Sequence, residues 1–384
     1  MRYTLTRRRF LQALGTTAAS HCVSRPGLPF RIKASAALVA VARCANYGPC
    51  LLPTLATMFD QLGGLERLVK GRTVAIKLNL TGPASTRWRY LPPEQTHWVH
   101  PQVIAATLHL LESAGARRIR LLESAGDGEP LEEFMLQANW DPRIFSNAAR
   151  RVEFENTNSL GRGTRYSRLP VHAGGLMFKG YDVNHSYEDC DVFVSLAKLK
   201  EHAAAGVTLS MKNCFGITPC TIYGDGAGIE EPSLVPKGGR GMTLHAGKRQ
   251  PSLSAPSEND PRSPREAGYR LPRVVADLVA ARPIDLAIIE GIETIAGGEG
   301  PWVPSSRPTW PGLLVAGTNC VATDSVATAL MGFDPMADRG SPPFEHCDST
   351  LKLAEELNVG TRDLQRIDVV GRPIREARIN FRAA

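Results

Sequence analysis

Several motifs that identify common enzyme classes are absent from this chain of 384 residues. It has no G-x-G-x-x-G after a predicted strand and no G-K-[ST] loop, which argues against a nicotinamide dehydrogenase and a phosphate-loop hydrolase. It also lacks H-E-x-x-H and G-x-S-x-G, which argues against a zincin and an α/β-hydrolase. Its eight cysteines include no C-x-x-C pair, so neither a zinc ribbon nor a ferredoxin-type iron–sulfur cluster is predicted.

Acidic residues are missing from the first 36 residues, and this segment dominates the charge of the chain. The formal net charge is +7, and the segment contains seven basic residues: Arg2, Arg7, Arg8, Arg9, Arg25, Arg31 and Lys33. The remainder is therefore neutral, and a general basic surface for nucleic acid is not predicted. A long apolar run is also absent, so no transmembrane segment is expected. A hydrophobic content of 43% predicts a packed core.

The segment 1–36 resembles a twin-arginine signal peptide. Thr6-Arg7-Arg8-Arg9-Phe10-Leu11 matches the pattern, and the modestly apolar stretch that follows is too short to span a bilayer. Ala34-Ser35-Ala36 fits a cleavage site, and Cys22 is the alternative end, as a lipid anchor. The resemblance implies the twin-arginine export machinery as a partner and a periplasmic or extracytoplasmic location; an ordinary basic N-terminus is the alternative. Since that route carries folded proteins, a metal or bound cofactor is an open expectation.

The pattern of residues 37–384 predicts an α/β domain with a mostly parallel sheet flanked by helices. The predicted strands are Leu38–Arg43, Thr73–Leu80, Arg118–Glu123, Cys190–Leu196, Leu286–Glu290, Leu313–Ala316 and Arg366–Val370. The predicted helices include Leu51–Val69, Pro101–Ala114, Pro272–Ala281, Ala322–Met331 and Leu351–Leu357. Residues 224–268 are rich in glycine, proline and serine without an apolar period, which predicts a long loop insertion.

The stretch after the predicted strand Cys190–Leu196 is the richest in residues that can carry chemistry. It contains Lys198, Lys200, His202, Ser210, Lys212 and Asn213. In open α/β sheets, ligands bind beyond the carboxyl ends of the strands, where lysines attract a carboxylate or a phosphate. His202 can act as an acid, a base or a metal ligand. Lys77 and Asn79 end another strand at this edge. The alternative is a solvated basic loop ahead of an amphipathic helix.

Further histidines and acidic residues are candidates whose roles the sequence leaves open. They are His97, His100, His245, Glu123, Glu290 and Asp324. His100 is predicted as a second catalytic acid or base, opposite His202. His245 falls in the long loop, where it either closes over a ligand or is solvated. Asp324 fits a metal or hydroxyl partner, and it equally fits the N-cap of the helix that follows.

Two pairs of cysteines share one spacing. Five residues separate Cys44 from Cys50, and five separate Cys214 from Cys220. In an oxidising periplasm such pairs can form disulfides, whereas buried free thiols are the alternative. The pairing of the cysteines stays open.

Four motifs resemble those of the family called domain of unknown function 362. Lys198–Gly216 resembles its signature of K-x-K-x-H, G-V-T and K-N-x-x-G, and Lys77-Leu-Asn79 is similar to its K-P-N strand end. Glu290–Pro301 resembles its D-G-I and G-x-G-P stretch, and Ala322–Ala327 resembles A-x-D-x-V-A. The order of the motifs agrees over nearly all of residues 38–371. The resemblance implies an α/β domain and little about activity.

A looser similarity connects the same segment with the nickel-pincer lactate racemases. In those enzymes a histidine, a glycine-serine turn and a lysine follow in similar order, and the lysine tethers the cofactor. The similarity implies that Lys212 is a tether and that His202 moves a proton beside a carboxylate. Leu209-Ser210-Met211 stands where the racemases have paired glycines, so the match is incomplete.

These observations predict an exported protein that binds a small carboxylate or phosphorylated anion in a lysine- and histidine-lined cleft. The predicted binding residues are Lys77, Asn79, Lys198, Lys200, Ser210 and Asn213, and the predicted catalytic residues are His202, Lys212 and His100. Whether the protein is a racemase- or isomerase-like acid/base enzyme stays open. The alternative is a non-catalytic periplasmic binding or carrier protein.

Overall fold

The structure is a computed structural model that describes residues 37–172, 174–228, 231–232, 235–236 and 238–382. The predicted twin-arginine segment 1–36 lies outside the described residues. Five positions of the predicted loop insertion 224–268 lie outside them as well.

The strands of the described residues are numbered here in chain order. They are β1 (Ala37–Arg43), β2 (Thr73–Lys77), β3 (Arg118–Glu123), β4 (Val152–Asn156), β5 (Ser167–Pro170), β6 (Gly180–Val183), β7 (Val192–Lys198), β8 (Glu201–His202), β9 (Gly206–Val207), β10 (Leu286–Gly291), β11 (Thr294–Ala296), β12 (Arg307–Thr309), β13 (Leu313–Gly317) and β14 (Ile367–Gly371).

The α-helices of the same residues are numbered in the same way. They are α1 (Leu51–Gln61), α2 (Glu66–Val69), α3 (Pro101–Ser113), α4 (Leu131–Gln137), α5 (Arg143–Ala148), α6 (Leu209–Asn213), α7 (Cys220–Tyr223), α8 (Ala267–Ala281), α9 (Cys320–Leu330), α10 (Thr350–Glu356) and α11 (Ile374–Ala377). Short 3₁₀ turns lie at Pro93–Gln95, His185–Tyr187, Cys214–Ile217 and Leu364–Arg366, and a π-helical turn lies at Gly241–His245.

One eight-stranded sheet dominates the described part of the chain, in the order β14-β1-β13-β10-β7-β2-β3-β4. Neighbouring strands are parallel except at β13, which runs antiparallel to both β1 and β10. Both faces of the sheet are covered. Val74 and Ile76 of β2 belong to one hydrophobic core cluster, and Ala75, which points to the opposite face, belongs to another. A sheet buried on both faces needs nearly continuous apolar strands, as this sequence has. The predicted α/β fold with a mostly parallel sheet is confirmed.

The order of the strands reverses between β2 and β7, which are adjacent and parallel. From β2 the sheet continues through β3 and β4 on one side, and from β7 it continues to β10 on the other. Such a switch point leaves a crevice at the carboxyl ends of the strands, where open α/β sheets bind ligands. Lys77, Glu123 and Lys198 are the last residues of β2, β3 and β7.

Two helices differ from the predicted ones for reasons that the backbone explains. The predicted helix Leu51–Val69 is divided because Gly63 and Gly64 adopt φ angles of 95° and 80°. Helix α8 begins at Ala267 and contains Pro272 in its interior, although proline has no N–H for the bond to the Gly268 carbonyl. That carbonyl accepts a hydrogen bond from the N–H of Asp348 instead, at 2.9 Å.

The long loop insertion predicted at 224–268 ends two residues earlier than predicted, because α8 includes residues 267 and 268.

Within the described residues, no helix combines the length and the apolar character that crossing a membrane requires.

Candidate functional site

A cavity of about 820 Å³ opens at the carboxyl edge of the sheet, beside the switch point between β2 and β7. Loops that follow β2, β3, β7 and β10 form its walls together with the segment 238–245. Five predicted site residues line it: Lys77, Asn79, His202, Lys212 and Asn213. Four predicted residues do not line it: His100, Lys198, Lys200 and Ser210.

Lys77 and Glu123 form a buried ion pair where β2 and β3 end. The ammonium of Lys77 donates to Glu123 Oε1, and it also donates to the carbonyl of Leu78 at 2.6 Å. Glu123 Oε2 accepts from the N–H of Leu80 at 2.8 Å. Burial lowers the pKa of Lys77, although the charge of Glu123 acts in the opposite direction. The charge of Lys77 is therefore largely compensated within the protein.

Asn213 and Asn79 hold the backbone around this pair. The Asn213 amide donates to Ser195 Oγ at 3.0 Å, and its carbonyl oxygen lies 3.4 Å from the Lys77 ammonium. Asn79 Oδ1 accepts from the N–H of Lys198 at 3.3 Å and so connects the end of β2 with the end of β7. Both side chains line the cavity while most of their hydrogen-bonding capacity is used internally.

Two glycines of the sequence motifs are explained by close contacts. A Cβ atom on Gly216 would lie 2.8 Å from Lys77 Cε and 2.9 Å from Lys77 Nζ. Gly206 has a φ of 73°, and a Cβ there would lie 2.4 Å from the Phe344 ring. Gly216 thus leaves the space that the buried ammonium of Lys77 occupies.

We expect Gly216→Ala to lower the free energy of unfolding by about 1–3 kcal/mol, because the added methyl group overpacks a buried, hydrogen-bonded ammonium. Urea unfolding of the purified protein measures this change. Gly239→Ala is the matched control, since the nearest atom to its Cβ is 3.9 Å away in the same cavity wall. Equal losses for the two variants would contradict the proposed contact with Lys77.

Lys212 differs from Lys77, the other lysine that lines the cavity, because its ammonium forms no ion pair or hydrogen bond with the described residues. Among the described residues, no hydrogen-bond acceptor or carboxylate contacts Lys212 Nζ, which lies 4.9 Å from the centroid of the Phe215 ring. Burial lowers the pKa of Lys212 to about 8; the negative charge of Glu299 acts in the opposite direction, and the positive charges of Lys77 and Arg240 act in the same direction as burial. The Lys212 amine is therefore expected to titrate between its charged and neutral forms near pH 8.

Two imidazoles share the cavity wall with Lys212. His202 Nδ1 accepts from the N–H of Ala204 at 3.1 Å. Burial, and then the charge of Lys212, lowers the pKa of His202 well below its usual value. His245 packs on Phe215 with ring centroids 5.1 Å apart, and burial lowers the pKa of His245 to about 4. Both rings are therefore neutral at pH 7.

Arg240 supplies a second cation that the sequence analysis did not identify. Its guanidinium donates to the carbonyl of Thr218 at 2.6 Å, to Ser124 Oγ and to Asn158 Oδ1 at 3.3 Å. It lies 5.9 Å from the centroid of the same Phe215 ring that Lys212 approaches. No sequence motif identified Arg240, because the residue lies in a loop that has no regular pattern of apolar residues.

Acidic and aromatic groups complete the walls. Glu299 accepts from the N–H of Ala203 at 3.0 Å and from the indole of Trp302 at 3.2 Å. Asp127 and Glu129 line the cavity from the loop after β3, and Asp127 is exposed. Glu299 falls inside the motif Glu290–Pro301, so the sequence did contain a signal for it.

Lys198 and Lys200 are buried behind the wall and bind protein groups. Lys198 Nζ donates to Glu290 Oε2 at 2.6 Å, and both side chains are completely buried. Lys200 Nζ donates to the carbonyls of His97 at 2.8 Å and Glu299 at 2.9 Å. The structure therefore places these two lysines as supports of the loops and not in contact with the cavity.

Ser210 faces away from the cavity, toward Asp324 on α9. The N–H groups of Ser210 and Met211 donate to this carboxylate at 3.0 and 2.9 Å, as does the Ser210 hydroxyl. Asp324 thus binds the N-terminus of α6, whereas the N-cap of its own helix is Asn319. Burial raises the pKa of Asp324 to about 7.

His100 is the N-cap of α3 and not a partner of His202. Its Nδ1 accepts from the N–H of Gln102 at 3.1 Å, and its ring stacks on Tyr47 with centroids 3.5 Å apart. Burial lowers the pKa of His100 to about 3. His245 is the second histidine that the structure brings to the cavity.

The chain is similar to several known proteins. The profile of a family described as a domain of unknown function (DUF362) matches residues 74–329. A thylakoid-associated protein of Synechocystis sp. is 26% identical over 301 residues, which cover 77% of this chain and 75% of that protein.

Two solved structures show weaker similarity. A protein from Thermotoga maritima gives a TM-score of 0.35 at 14% identity, covering 70% of this chain and 55% of that one. The lactate racemase apoprotein of Thermoanaerobacterium thermosaccharolyticum gives 0.34 at 10% identity, covering 74% of this chain and 56% of that one. The chain thus spans just over half the length of these two structures, and TM-scores of this size support no transfer of mechanism.

Proposed function

We propose that this chain, which belongs to the domain of unknown function 362 family, binds a small carboxylate or phosphorylated anion in the cavity and performs acid/base chemistry on it. The observation that carries the proposal is the ammonium of Lys212, which faces the cavity without a partner among the described residues. A buried charge is stable only when it is compensated. An anionic ligand would supply that compensation.

The distribution of charge supports an anion deep in the cavity. Lys77 is compensated by Glu123, whereas no carboxylate of the described residues lies within 4 Å of Lys212 or Arg240. Both cations flank the Phe215 ring, so one ligand can approach both of them. Glu299 and the exposed Asp127 also line the cavity, and the charge of Glu299 raises the pKa of Lys212. These carboxylates would disfavour a ligand that is anionic along its whole length.

The volume of the cavity supports a ligand larger than the anionic group alone. A space of about 820 Å³ lies within the usual range of small-molecule pockets, roughly 300–1,000 Å³. Trp302, Phe134 and Leu80 provide apolar wall area beside the charged part. The ligand therefore combines an anionic head with a body that can contact apolar side chains.

The protonation states support proton transfer. With its pKa lowered to about 8, Lys212 can give or take a proton near neutral pH, and the neutral ring of His202 lines the same cavity. The alternative, a non-catalytic carrier, would bind the same anion without turnover. Solvent deuterium entering the carbon beside the carboxylate of an added 2-hydroxy acid would favour the enzyme over the carrier.

We expect sulfate affinity to fall about tenfold between pH 7 and pH 9, because an amine with a pKa of about 8 loses most of its charge over that range. Burial lowers the pKa of Lys212 in the ligand-free protein, whereas a bound anion would raise it. The dissociation constant therefore rises as the pH increases through the pKa of the ligand-free protein. Isothermal titration with sulfate, and with acetate for the carboxylate case, measures the change; neither probe titrates in this range.

Lys212→Met is the control for this pH dependence. The variant should bind sulfate weakly and equally at pH 7 and pH 9, since His202 and His245 stay neutral throughout. A wild-type affinity that does not change with pH, or a change that persists in the variant, would contradict the proposed role of Lys212.

A tethered metal cofactor is a separate hypothesis, which the similarity to the nickel-pincer enzymes introduces. Among the described residues, no cluster of three His, Cys, Asp or Glu side chains could hold a metal ion by itself. Lys212 fits an attachment point because its amine has no partner in the part of the chain that the structure describes, and His202 also lines the cavity. Such a group would supply a metal centre beside the two residues. An unmodified Lys212 in the intact mass of active protein would refute the tether.

We also propose that the chain is exported by the twin-arginine route to the periplasm, with cleavage near Ala36. The support is the sequence of residues 1–36 alone, whose paired Arg7 and Arg8 precede Phe10 and Leu11. Fractionation of cells that produce the full chain, compared with the variant Arg7→Lys/Arg8→Lys, tests this location. Equal distribution of both proteins would refute it.

A further inference from the structure

Two thiols outside the cavity lie within reach of each other. Cys44 follows β1 and Cys50 precedes α1, and their Sγ atoms are 3.7 Å apart. The S–S bond of a disulfide measures about 2.05 Å, so closure needs a displacement of less than about 2 Å. Cys214 and Cys220 have the same spacing in sequence, but both are buried and no contact joins their sulfur atoms in the described structure.

We propose that Cys44 and Cys50 form a redox-active dithiol site that a disulfide compound oxidises to an intramolecular disulfide. The two residues differ in access, since Cys50 is exposed and Cys44 is 3% exposed. Cys50 therefore meets the oxidant first, and Cys44 is the resolving thiol beneath it. Neither residue lines the cavity, so this site is independent of the proposed ligand.

The chemistry is a pair of thiol–disulfide exchanges. The Cys50 thiolate attacks one sulfur of the oxidant, forms a mixed disulfide and releases one thiol. The Cys44 thiol then loses its proton, attacks Cys50 Sγ and releases the second thiol. The protein loses two protons and two electrons, and the oxidant gains both. Burial raises the pKa of Cys44 to about 11, and the neighbouring Cys50 acts in the same direction, so Cys44 is a protonated thiol at neutral pH.

The loop that the disulfide would close carries one important contact. Tyr47, between the two cysteines, donates its hydroxyl to Glu290 Oε1 at 2.9 Å and stacks on His100. Glu290 in turn accepts from the buried ammonium of Lys198. The remaining loop residues, 45–46 and 48–49, are exposed, so Tyr47 and Cys44 are the main attachments of this loop. A disulfide would add a covalent attachment at its second end.

The experiment treats the folded protein with oxidised glutathione, blocks remaining thiols with iodoacetamide and digests with trypsin. The peptide 44–67 contains both cysteines of the proposed site. We expect it to lose two hydrogen atoms and to take up no iodoacetamide. The peptide 213–237, with Cys214 and Cys220, is the internal control and should stay reduced. The oxidised protein should melt about 1–4 °C higher than the reduced one, because the link restricts the unfolded chain.

Variants distinguish closure from simple oxidation of an exposed thiol. Cys44→Ser should keep the glutathione adduct on Cys50, because no resolving thiol is present. Cys50→Ser changes only an exposed position, and its peptide should stay free of any link. A wild-type peptide 44–67 that carries glutathione without closing, or that takes up iodoacetamide at both cysteines, would overturn the proposal.

Discussion

Replacing Lys212 with methionine is expected to weaken sulfate binding about 10- to 100-fold, while the free energy of unfolding stays equal or increases. A hydrogen bond to a charged group contributes about 1.5–3 kcal/mol, which gives the expected loss of affinity. The stability should not fall, because Lys212 contacts no carboxylate or acceptor among the described residues and its pKa is lowered by burial. Isothermal titration and urea unfolding of the same sample measure both quantities.

Lys70→Met is the matched control for this substitution. Lys70 is an exposed lysine that pairs with Glu66 on the surface, before β2 begins. Its replacement should change sulfate affinity less than twofold, and a fully exposed pair of this kind contributes little to stability. If Lys212→Met lowered stability while leaving affinity unchanged, Lys212 would be a structural residue and the anion site would lie elsewhere.

Breaking the ion pair between Lys198 and Glu290 is expected to have the largest effect on stability. Each single variant, Lys198→Met or Glu290→Gln, should lower the free energy of unfolding by about 3–5 kcal/mol, because it leaves one charge buried without its counterion. Both side chains are completely buried, and the ammonium and carboxylate are 2.6 Å apart. Burial also lowers the pKa of Lys198, so the lysine depends on Glu290 to stay charged.

The double variant Lys198→Met/Glu290→Gln should lose clearly less stability than the sum of the two single losses, because it removes both charges together. Arg118→Met is the comparison within the same sheet, since the pair Arg118–Glu153 is about one-third exposed. Its loss should be near 0–1 kcal/mol. Urea midpoints measured in one buffer test the set, and additive losses for Lys198 and Glu290 would contradict direct pairing.

The fold was predictable because most strands are buried on both faces and therefore appear as apolar runs. The predicted Arg118–Glu123 is identical to β3, and the predicted Leu286–Glu290 differs from β10 by one residue. The antiparallel direction of β13 was not predictable, since a fully apolar strand carries no periodicity that encodes its direction. The interior position of Pro272 depends on a partner 76 residues later in the chain, Asp348, and no local pattern reveals it.

The candidate site was predictable only in part, because the sequence shows which residues follow a strand but not which way they face. Lys212 and His202 reach the cavity, whereas Lys198 and Lys200, from the same motif, bind Glu290 and backbone carbonyls. These partners lie about a hundred residues away in sequence. Arg240 could not be predicted because it enters the site from a loop without a regular pattern.

Strands β14 and β1 form one edge of the sheet and decide how much of the chain is needed for a complete fold. Strands β1 and β14 pair with each other, and β1 also pairs with β13, yet both lie outside the residues 74–329 that match the family. A chain shortened to that range would leave the fully buried strand β13 with one edge of unpaired backbone groups. An apolar edge of this kind is a template for intermolecular strand pairing. The region that matches the family model is thus smaller than the region that forms the complete eight-stranded sheet.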